Sequence, residues 1–477
     1  MNISSPTPSV SSLVRRVREG PIHPPGPKGR LLTGTFAAWR SNALRHMEQL
    51  VSRYGPAVRF HYALGRYGYL FAHPDHYRRI LLDNYKNYTK RHPIYDVLRV
   101  ALGEGLVTLD GARWVTHRRL IQPAFHRSAV RSAADLIVRR TQAMLATWER
   151  DAQTARAGMQ YTRLIDRDMM ALTLGVVGET LFGLSMDTHI NAIDAGFSAF
   201  SRELMAVITN PVALYGVRLR LTPSARRLYA AAGRLRQVVS QLVVARRERP
   251  EQETQDLLGL LLAAREAETD RRLTDAEVRD EVMTIMLAGH ETSATALTWT
   301  LYLLGTHPDA TRTVQDELER VLDGSPPAVD ALPRLQVTRA AAQEAMRLYP
   351  PVWAFDRRAT GPDTVGGYDL PAGASISLCP YVTHRLPEFW ERPDEFQPER
   401  FAAGATNRHE FAYLPFAAGP RGCIGEGFAM TEIVLVLATV LQRYELRPAP
   451  GLVVEPAPFI TLRPRYGLMM VAEARRR

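Results

Sequence analysis

The stretch from Thr274 to Thr306 constrains the fold of this chain more than any other. Thr274-Asp275-Ala276-Glu277 has the form of a capping box, in which a threonine hydroxyl and a glutamate carboxylate satisfy the first free N–H groups of a helix. No proline follows until His307-Pro308, so one helix is expected to run to Thr306. At about 1.5 Å per residue it is a rod on the order of 50 Å long, as wide as the whole protein. Its middle, residues 283–297, is nearly all apolar or small, which suits a helix crossing the centre and buried on most faces. The polar residues inside that middle, in Ala288-Gly289-His290-Glu291-Thr292, therefore need a reason.

The remaining periodicity is mostly helical. Pro24-Pro25-Gly26-Pro27 fixes an extended opening segment, and residues 57–63 and 67–73 read as a strand pair around Gly65-Arg66. Apolar spacings of three and four dominate residues 110–322. The polar stretch 246–255, broken by Pro250, reads as a surface connection between helices. Helices are expected at 310–322, 338–348 and 424–443, short strands at 366–370 and 375–378, and irregular chain over 387–420. The reading is a flexible segment 1–23 followed by a single domain, 24–477, mainly α with minor β.

Composition narrows the function. A formal charge of +11 invites acidic partners, yet the positive charge is almost all arginine, with Lys28, Lys86 and Lys90 the only lysines, and it is scattered. With no zinc-finger, basic-zipper or aromatic-interleaved pattern, no nucleic-acid partner is expected. Two distant cysteines, Cys379 and Cys423, make neither a disulfide framework nor a zinc site. No apolar run is long enough to span a membrane, and a cytoplasmic location follows as the expectation.

The segment Phe416-Ala417-Ala418-Gly419-Pro420-Arg421-Gly422-Cys423-Ile424-Gly425 stands directly before the last expected helix. Glycines at 419, 422 and 425 allow close backbone approach to a flat ligand, and Cys423 sits where helix N–H groups lower a thiol pKa. A buried structural thiol is the plainer alternative. For Cys379, after an apolar run, that plainer reading is preferred, and His384 reads as a hydrogen-bonded structural histidine.

These residues resemble the cytochrome P450 haem-thiolate enzymes, whose cysteine loop reads Phe-x-x-Gly-x-Arg-x-Cys-x-Gly, with every fixed position filled here. The resemblance extends from the region of Trp114 to the C-terminus. It implies a P450-like fold with haem b (iron protoporphyrin IX) held between the long central helix and the cysteine-loop helix. It makes Cys423 the iron ligand, with Phe416 and Gly425 in the same loop, and Arg421 a partner of a haem propionate. Trp114 and Arg118, four apart on one helix, would both reach a propionate, and Arg357 or its neighbour Arg358 would supply another contact. Ala288, Gly289, Glu291 and Thr292 would face the iron, the glycine leaving room for dioxygen while acid and alcohol organise proton delivery. Thr292 could equally bond back to the Ala288 carbonyl, and both roles can coexist. Glu344, Arg347 and Arg400 would form the family's structural Glu-Arg-Arg network.

The implied activity is insertion of one oxygen atom from O2 into an unreactive bond, the thiolate favouring O–O cleavage. No dinucleotide-binding glycine loop or iron–sulfur cluster is present in the sequence, so electrons are expected from an external ferredoxin or flavodoxin with its reductase, docking by a basic face near Arg113, His117 and Arg119. By family position the substrate would meet Tyr95, Val97, Leu98, Val107, Leu287, Val352, Trp353, Phe355, Phe459 and Ile460, which suits a hydrophobic small molecule. A terpenoid is favoured over a fatty acid, steroid or polyketide, on likeness of Pro351-Val352-Trp353 to terpene-oxidising members. Rival readings are a peroxide-driven peroxygenase and a non-catalytic haem-binding sensor.

Overall fold

The computed structural model describes residues 22–28, 35–61, 66–154, 161–248, 256–263, 272–402, 404 and 408–475. The flexible segment expected at 1–23 lies almost wholly outside those residues, as do 62–65 in the expected first turn and 249–255 of the expected polar connection.

The longer helices are α1 (Phe36–Tyr54), α2 (Pro93–Leu102), α3 (Gly111–Ile121), α4 (Arg127–Thr154), α5 (Ile165–Phe182), α6 (Ile190–Ile208), α7 (Pro223–Arg247), α8 (Asp275–Thr306), α9 (Pro308–Leu322), α10 (Gln336–Leu348) and α11 (Glu426–Leu441). Helix α8 is the expected rod, 32 residues long with its capping box closed: Glu277 N–H donates to Thr274 Oγ1 at 3.3 Å and Thr274 N–H to Glu277 Oε2 at 2.9 Å. Its middle is buried on most faces, against α5 on one side and α10 and α11 on others. A Cβ on Gly289 would stand 3.0 Å from the Val177 side chain of α5 and press it aside, so this glycine eases the helix–helix approach. Thr173 of α5 donates to the His290 carbonyl at 2.9 Å, tying the two helices at that level.

The first strand pair forms as expected, β1 (Ala57–His61) against β2 (Tyr67–Phe71). A five-stranded sheet extends it in the order β1-β2-β5-β4-β3, with β3 at Tyr88–Thr89, β4 at Phe355–Ala359 and β5 at Ser375–Leu378. Only β2 and β5 run parallel. Smaller antiparallel pairs and a three-stranded sheet lie elsewhere. Among the described residues of 387–420, regular structure is limited to short 3-10 turns.

That irregular stretch is held by buried charge. The Glu344 carboxylate accepts from Arg347 Nε at 2.7 Å and Nη2 at 2.8 Å, from Gln397 N–H at 2.9 Å, and pairs with Arg400 at 3.2 Å. Arg347 also donates to the carbonyls of His384, Pro393 and Glu395. His384 continues the chain of bonds, its Nδ1 meeting the Arg347 carbonyl at 3.2 Å and its Nε2 accepting from Leu414 N–H at 2.8 Å. Burial and the Arg347 charge push the His384 imidazole down to about 3, which keeps Nε2 free to accept. His384 is thus the structural histidine expected, and Cys379 the core thiol: fully buried, and pushed up to about 12 by that burial.

Glu344→Gln leaves two buried guanidinium groups without their counter-charge, and we expect a loss on the order of 3–5 kcal/mol. Thermal or urea unfolding measures it; a variant within 1 kcal/mol of the parent, on the order of an exposed pair, would show that the network carries no load.

Candidate active site

Helix α8, the residues before α11 and the start of β4 enclose a cavity of about 250 Å³. Ala288, Gly289, Thr292, Ser293 and Ala296 of α8 form one wall; Phe416, Ala417, Arg421, Cys423, Ile424 and Gly425 form another. Val352 and Phe355 close it from the β4 side, and Phe125, Val177 and Leu181 from α4, α5 and their surroundings. Cys423 is open to this cavity but otherwise enclosed by protein.

The cysteine loop is built tightly. Gly419 has φ +70°, and a Cβ there would lie 2.0 Å from the Leu81 carbonyl oxygen, so only glycine fits. Ala417 has φ +55° without being glycine, a strained backbone in contact with the cavity. Cys423 N–H donates to the Phe416 carbonyl at 2.9 Å. The expected lowering of the Cys423 pKa is not found: burial pushes the thiol up, and the Gly425 N–H and the Arg118 charge oppose this without reversing it. Helix α11 begins at Glu426, so only its first turn acts on the sulfur, and the Glu426 carboxylate there works against ionisation.

Beside the loop lies a gathering of cations. Arg421 pairs closely with Asp110 and donates to the Leu109 carbonyl at 2.9 Å, its guanidinium 4.2 Å from the centre of the Trp114 ring. Arg118 donates to the Gly422 carbonyl at 2.9 Å. Within β4 Arg357 is buried and Arg358 exposed; Arg357 donates to the Tyr95 hydroxyl at 3.2 Å. Lys90, absent from the sequence reading of the site, is buried with them, and its Nζ donates to the Val107 carbonyl at 2.8 Å. Burial and the charges of Arg357 and Arg421 hold the Lys90 ammonium well below its ordinary range. Lys90 and Arg421 thus feel the charges of Arg357 and Arg118, with Asp110, the ion-pair partner of Arg421, as the carboxylate among them, and a dianionic ligand would correct the imbalance. The one signal in the sequence was rarity: Lys90 is a lysine in a chain whose positive charge is nearly all arginine.

Thr292 and Glu291 separate. Thr292 faces the cavity and donates from Oγ1 to the Ala288 carbonyl at 2.6 Å, the back-bond considered from the sequence. Glu291 is fully buried outside the cavity; its Oε1 accepts from Thr461 at 2.6 Å and pairs with Arg463 at 2.9 Å. One residue along a helix is a rotation of about 100°, and here Thr461 and Arg463 hold the acid on a different side from the cavity that the alcohol faces.

Of the expected substrate residues, Val352 and Phe355 line the cavity. Tyr95 is instead the hydroxyl partner of Arg357, and Trp353 packs in a separate core, its indole N–H donating to the Phe459 carbonyl at 3.0 Å. Val97 and Leu287 are core residues of the helical cluster, with Leu98, Val107 and Ile460 packed on it. His117 does not belong to a basic face: it is 2% exposed and hydrogen-bonds Glu281 of α8 at 2.6 Å. Arg113 and Arg119 remain exposed, Arg113 between Glu104 and Glu277.

The chain matches the family model described as Cytochrome P450 over residues 24–469. It is 35% identical to the cyclooctatin synthase of Streptomyces melanosporofaciens, over 83% of this chain and 84% of that one. It is 35% identical to the same organism's cyclooctat-9-en-7-ol 5-monooxygenase, over 88% of each. A taurochenodeoxycholic 6 alpha-hydroxylase of Sus scrofa is 32% identical, over 83% of this chain and 80% of that one.

A second buried acid under the cavity was also missed. Glu432 of α11 is wholly buried with both oxygens lacking a well-formed hydrogen bond, and burial pushes it up to about 8, against the pull of Ser293. The folded protein therefore keeps a proton that the unfolded chain loses near 4.5, and stability falls as pH rises between those values. Glu432→Gln should remove that fall and be the more stable protein at pH 8 by roughly 3–5 kcal/mol. Urea unfolding at pH 5 and pH 8 tests this; equal pH dependence in parent and variant would mean the carboxyl is not held protonated.

Proposed function

The chain belongs to the cytochrome P450 family and is a monooxygenase of that family, and from that premise we propose that it inserts one oxygen atom from O2 into a hydrophobic terpenoid. The observation that carries the reading is the cavity itself: apolar on most sides, with the Cys423 thiol on one wall and Ala288, Gly289 and Thr292 on another. Two relatives support the substrate class, since one is named for oxidising cyclooctat-9-en-7-ol and the other for making cyclooctatin.

The residues fit haem b. Cys423 would ligate the iron, which takes the place of the proton that burial otherwise keeps on the sulfur. Lys90, Arg118, Arg357 and Arg421, with the Trp114 indole beside them, would hold the two propionates and balance the buried positive charge. Phe416 and Gly425 would pack on the same group. The bound haem supplies oxygen activation, and the protein supplies ligation, orientation and control of water and protons.

Thr292 Oγ1 commits its proton to the Ala288 carbonyl, so toward the cavity it offers lone pairs. It would accept a hydrogen bond there and orient a proton donor. Glu291, held by Thr461 and Arg463 outside the cavity, would act on Thr292 only through helix α8. Electrons would come from a ferredoxin or flavodoxin with its reductase, meeting exposed arginines such as Arg119 by charge. Residues 24–477 would work as one unit, in the cytoplasm.

Reconstitution with a ferredoxin, its reductase and 18O2 tests the proposal. A cyclic terpenoid alcohol should gain one 18O atom per molecule. Oxidation that requires added peroxide and leaves 18O2 unused would support the peroxygenase instead. Thr292→Ala should keep its haem spectrum but divert most electrons to hydrogen peroxide; unchanged coupling removes the role given to that hydroxyl.

A further inference from the structure

The turn between α2 and α3, residues 103–110, is bonded through both kinds of backbone group. Three successive carbonyls receive cations: Val107 accepts from Lys90 Nζ at 2.8 Å, Thr108 from Arg99 Nη2 at 2.7 Å and Leu109 from Arg421 Nη1 at 2.9 Å. Two N–H groups of the same turn go to adjacent carboxylates of α8. Glu104 N–H donates to Asp280 Oδ2 at 2.9 Å, and Leu106 N–H to Glu281 Oε2 at 3.0 Å.

The turn is closed onto α8 without spare room. A Cβ on Gly105 would lie 2.1 Å from Thr284 Oγ1 and 2.7 Å from the Asp280 carbonyl oxygen. Gly103, at φ +58°, would set one 2.0 Å from Asp280 Oδ2. Within the turn, Thr108 Oγ1 donates to the Gly103 carbonyl at 2.6 Å and accepts from Gly105 N–H at 3.2 Å. Irregular backbone needs a partner for every buried N–H, and here the central helix supplies two of them.

Glu281 also holds a second element. Its Oε1 lies 2.6 Å from Nδ1 of the buried His117 on α3. His117 is three residues from Trp114, whose ring centre is 4.2 Å from the Arg421 guanidinium, and adjoins Arg118, which donates to the Gly422 carbonyl at 2.9 Å. One carboxylate of α8 therefore stands behind both halves of the cation bank: Lys90 and Arg421 through the turn, Trp114 and Arg118 through α3. Glu281 itself is wholly buried and is not among the residues lining the cavity. It precedes Ala288 by seven residues, about 10 Å along the helix.

We infer that Glu281 is a positioning residue for haem binding, setting the 103–110 turn and α3 so that Lys90, Arg118 and Arg421 converge on the propionates. The inference rests on the haem reading of the cavity and adds to it a residue that never meets the haem. Its role is geometric. Glutamine can keep both contacts, accepting from Leu106 N–H through its oxygen and donating to His117 through its nitrogen once the imidazole carries its proton on Nε2. Alanine keeps neither.

Two measurements on the purified holoprotein test it: the rate of haem release to excess apomyoglobin, and the propionate-bending band in the resonance Raman spectrum. Glu281→Ala should release haem on the order of tenfold faster than the parent, the usual scale for losing a residue that orients a ligating group, and should shift that band. Glu281→Gln should match the parent in both. Gly105→Ala, which pushes the turn off α8 with every charged group kept, should reproduce the alanine result and serves if Glu281→Ala does not fold. Variants that melt earlier yet keep the parental release rate and band would overturn the inference, because Glu281 would then serve stability alone. So would a Glu281→Gln that loses haem as fast as Glu281→Ala, since charge and not geometry would be at work. A parent protein that holds no haem would overturn the haem reading itself, and is told apart before any variant is made.

Discussion

The Glu344 carboxylate is the point from which the rest of the site is strung. It lies wholly buried on α10 and gathers Arg347, Arg400 and the backbone of Gln397. Arg347 pins two carbonyls of a segment with almost no regular structure and that of His384 just before it, and His384 passes the connection to Leu414, which lines the cavity. The backbone N–H groups and carbonyls of irregular chain need partners as much as those of a helix do. Here a buried ion pair supplies several at once, and the payoff is the placement of a cysteine loop that contains a strained alanine. A surface pair would contribute far less.

The site itself is a set of charges waiting for their complement. Lys90, Arg118, Arg357 and Arg421 lie within electrostatic reach of one another with Asp110 paired to Arg421, and burial holds the Lys90 ammonium and the Arg421 guanidinium below their ordinary ranges. Cys423 shows the same tension with the opposite sign, its thiol pushed up in a pocket that would favour a metal over a proton. Each perturbation is unfavourable alone. Together they describe a ligand with a cationic centre and two anionic arms, which is the form of a haem.

Much of this was legible from sequence because its physics is local. The capping box, the apolar middle of α8 and the helical spacing of Trp114 and Arg118 are short-range patterns, and the cysteine loop is a contiguous motif. What could not be read depends on contacts across the fold. Glu291 turned from the cavity because Thr461 and Arg463, some 170 residues away, claim it. His117 left the surface because Glu281 meets it on α8, and Tyr95 and Trp353 left the substrate wall for Arg357 and the Phe459 carbonyl. Arg357 and Arg358 were separable only by their burial in the folded chain, the first buried and the second exposed. Lys90 had no motif at all.

The most direct test of the central claim, that Cys423 is a thiolate ligand to haem iron, is the difference spectrum of the dithionite-reduced protein on adding carbon monoxide, compared with Cys423→Ser. The account predicts a strongly red-shifted Soret band in the parent and its absence in the variant. A purified protein without haem, or a band that survives the substitution unchanged, would contradict it.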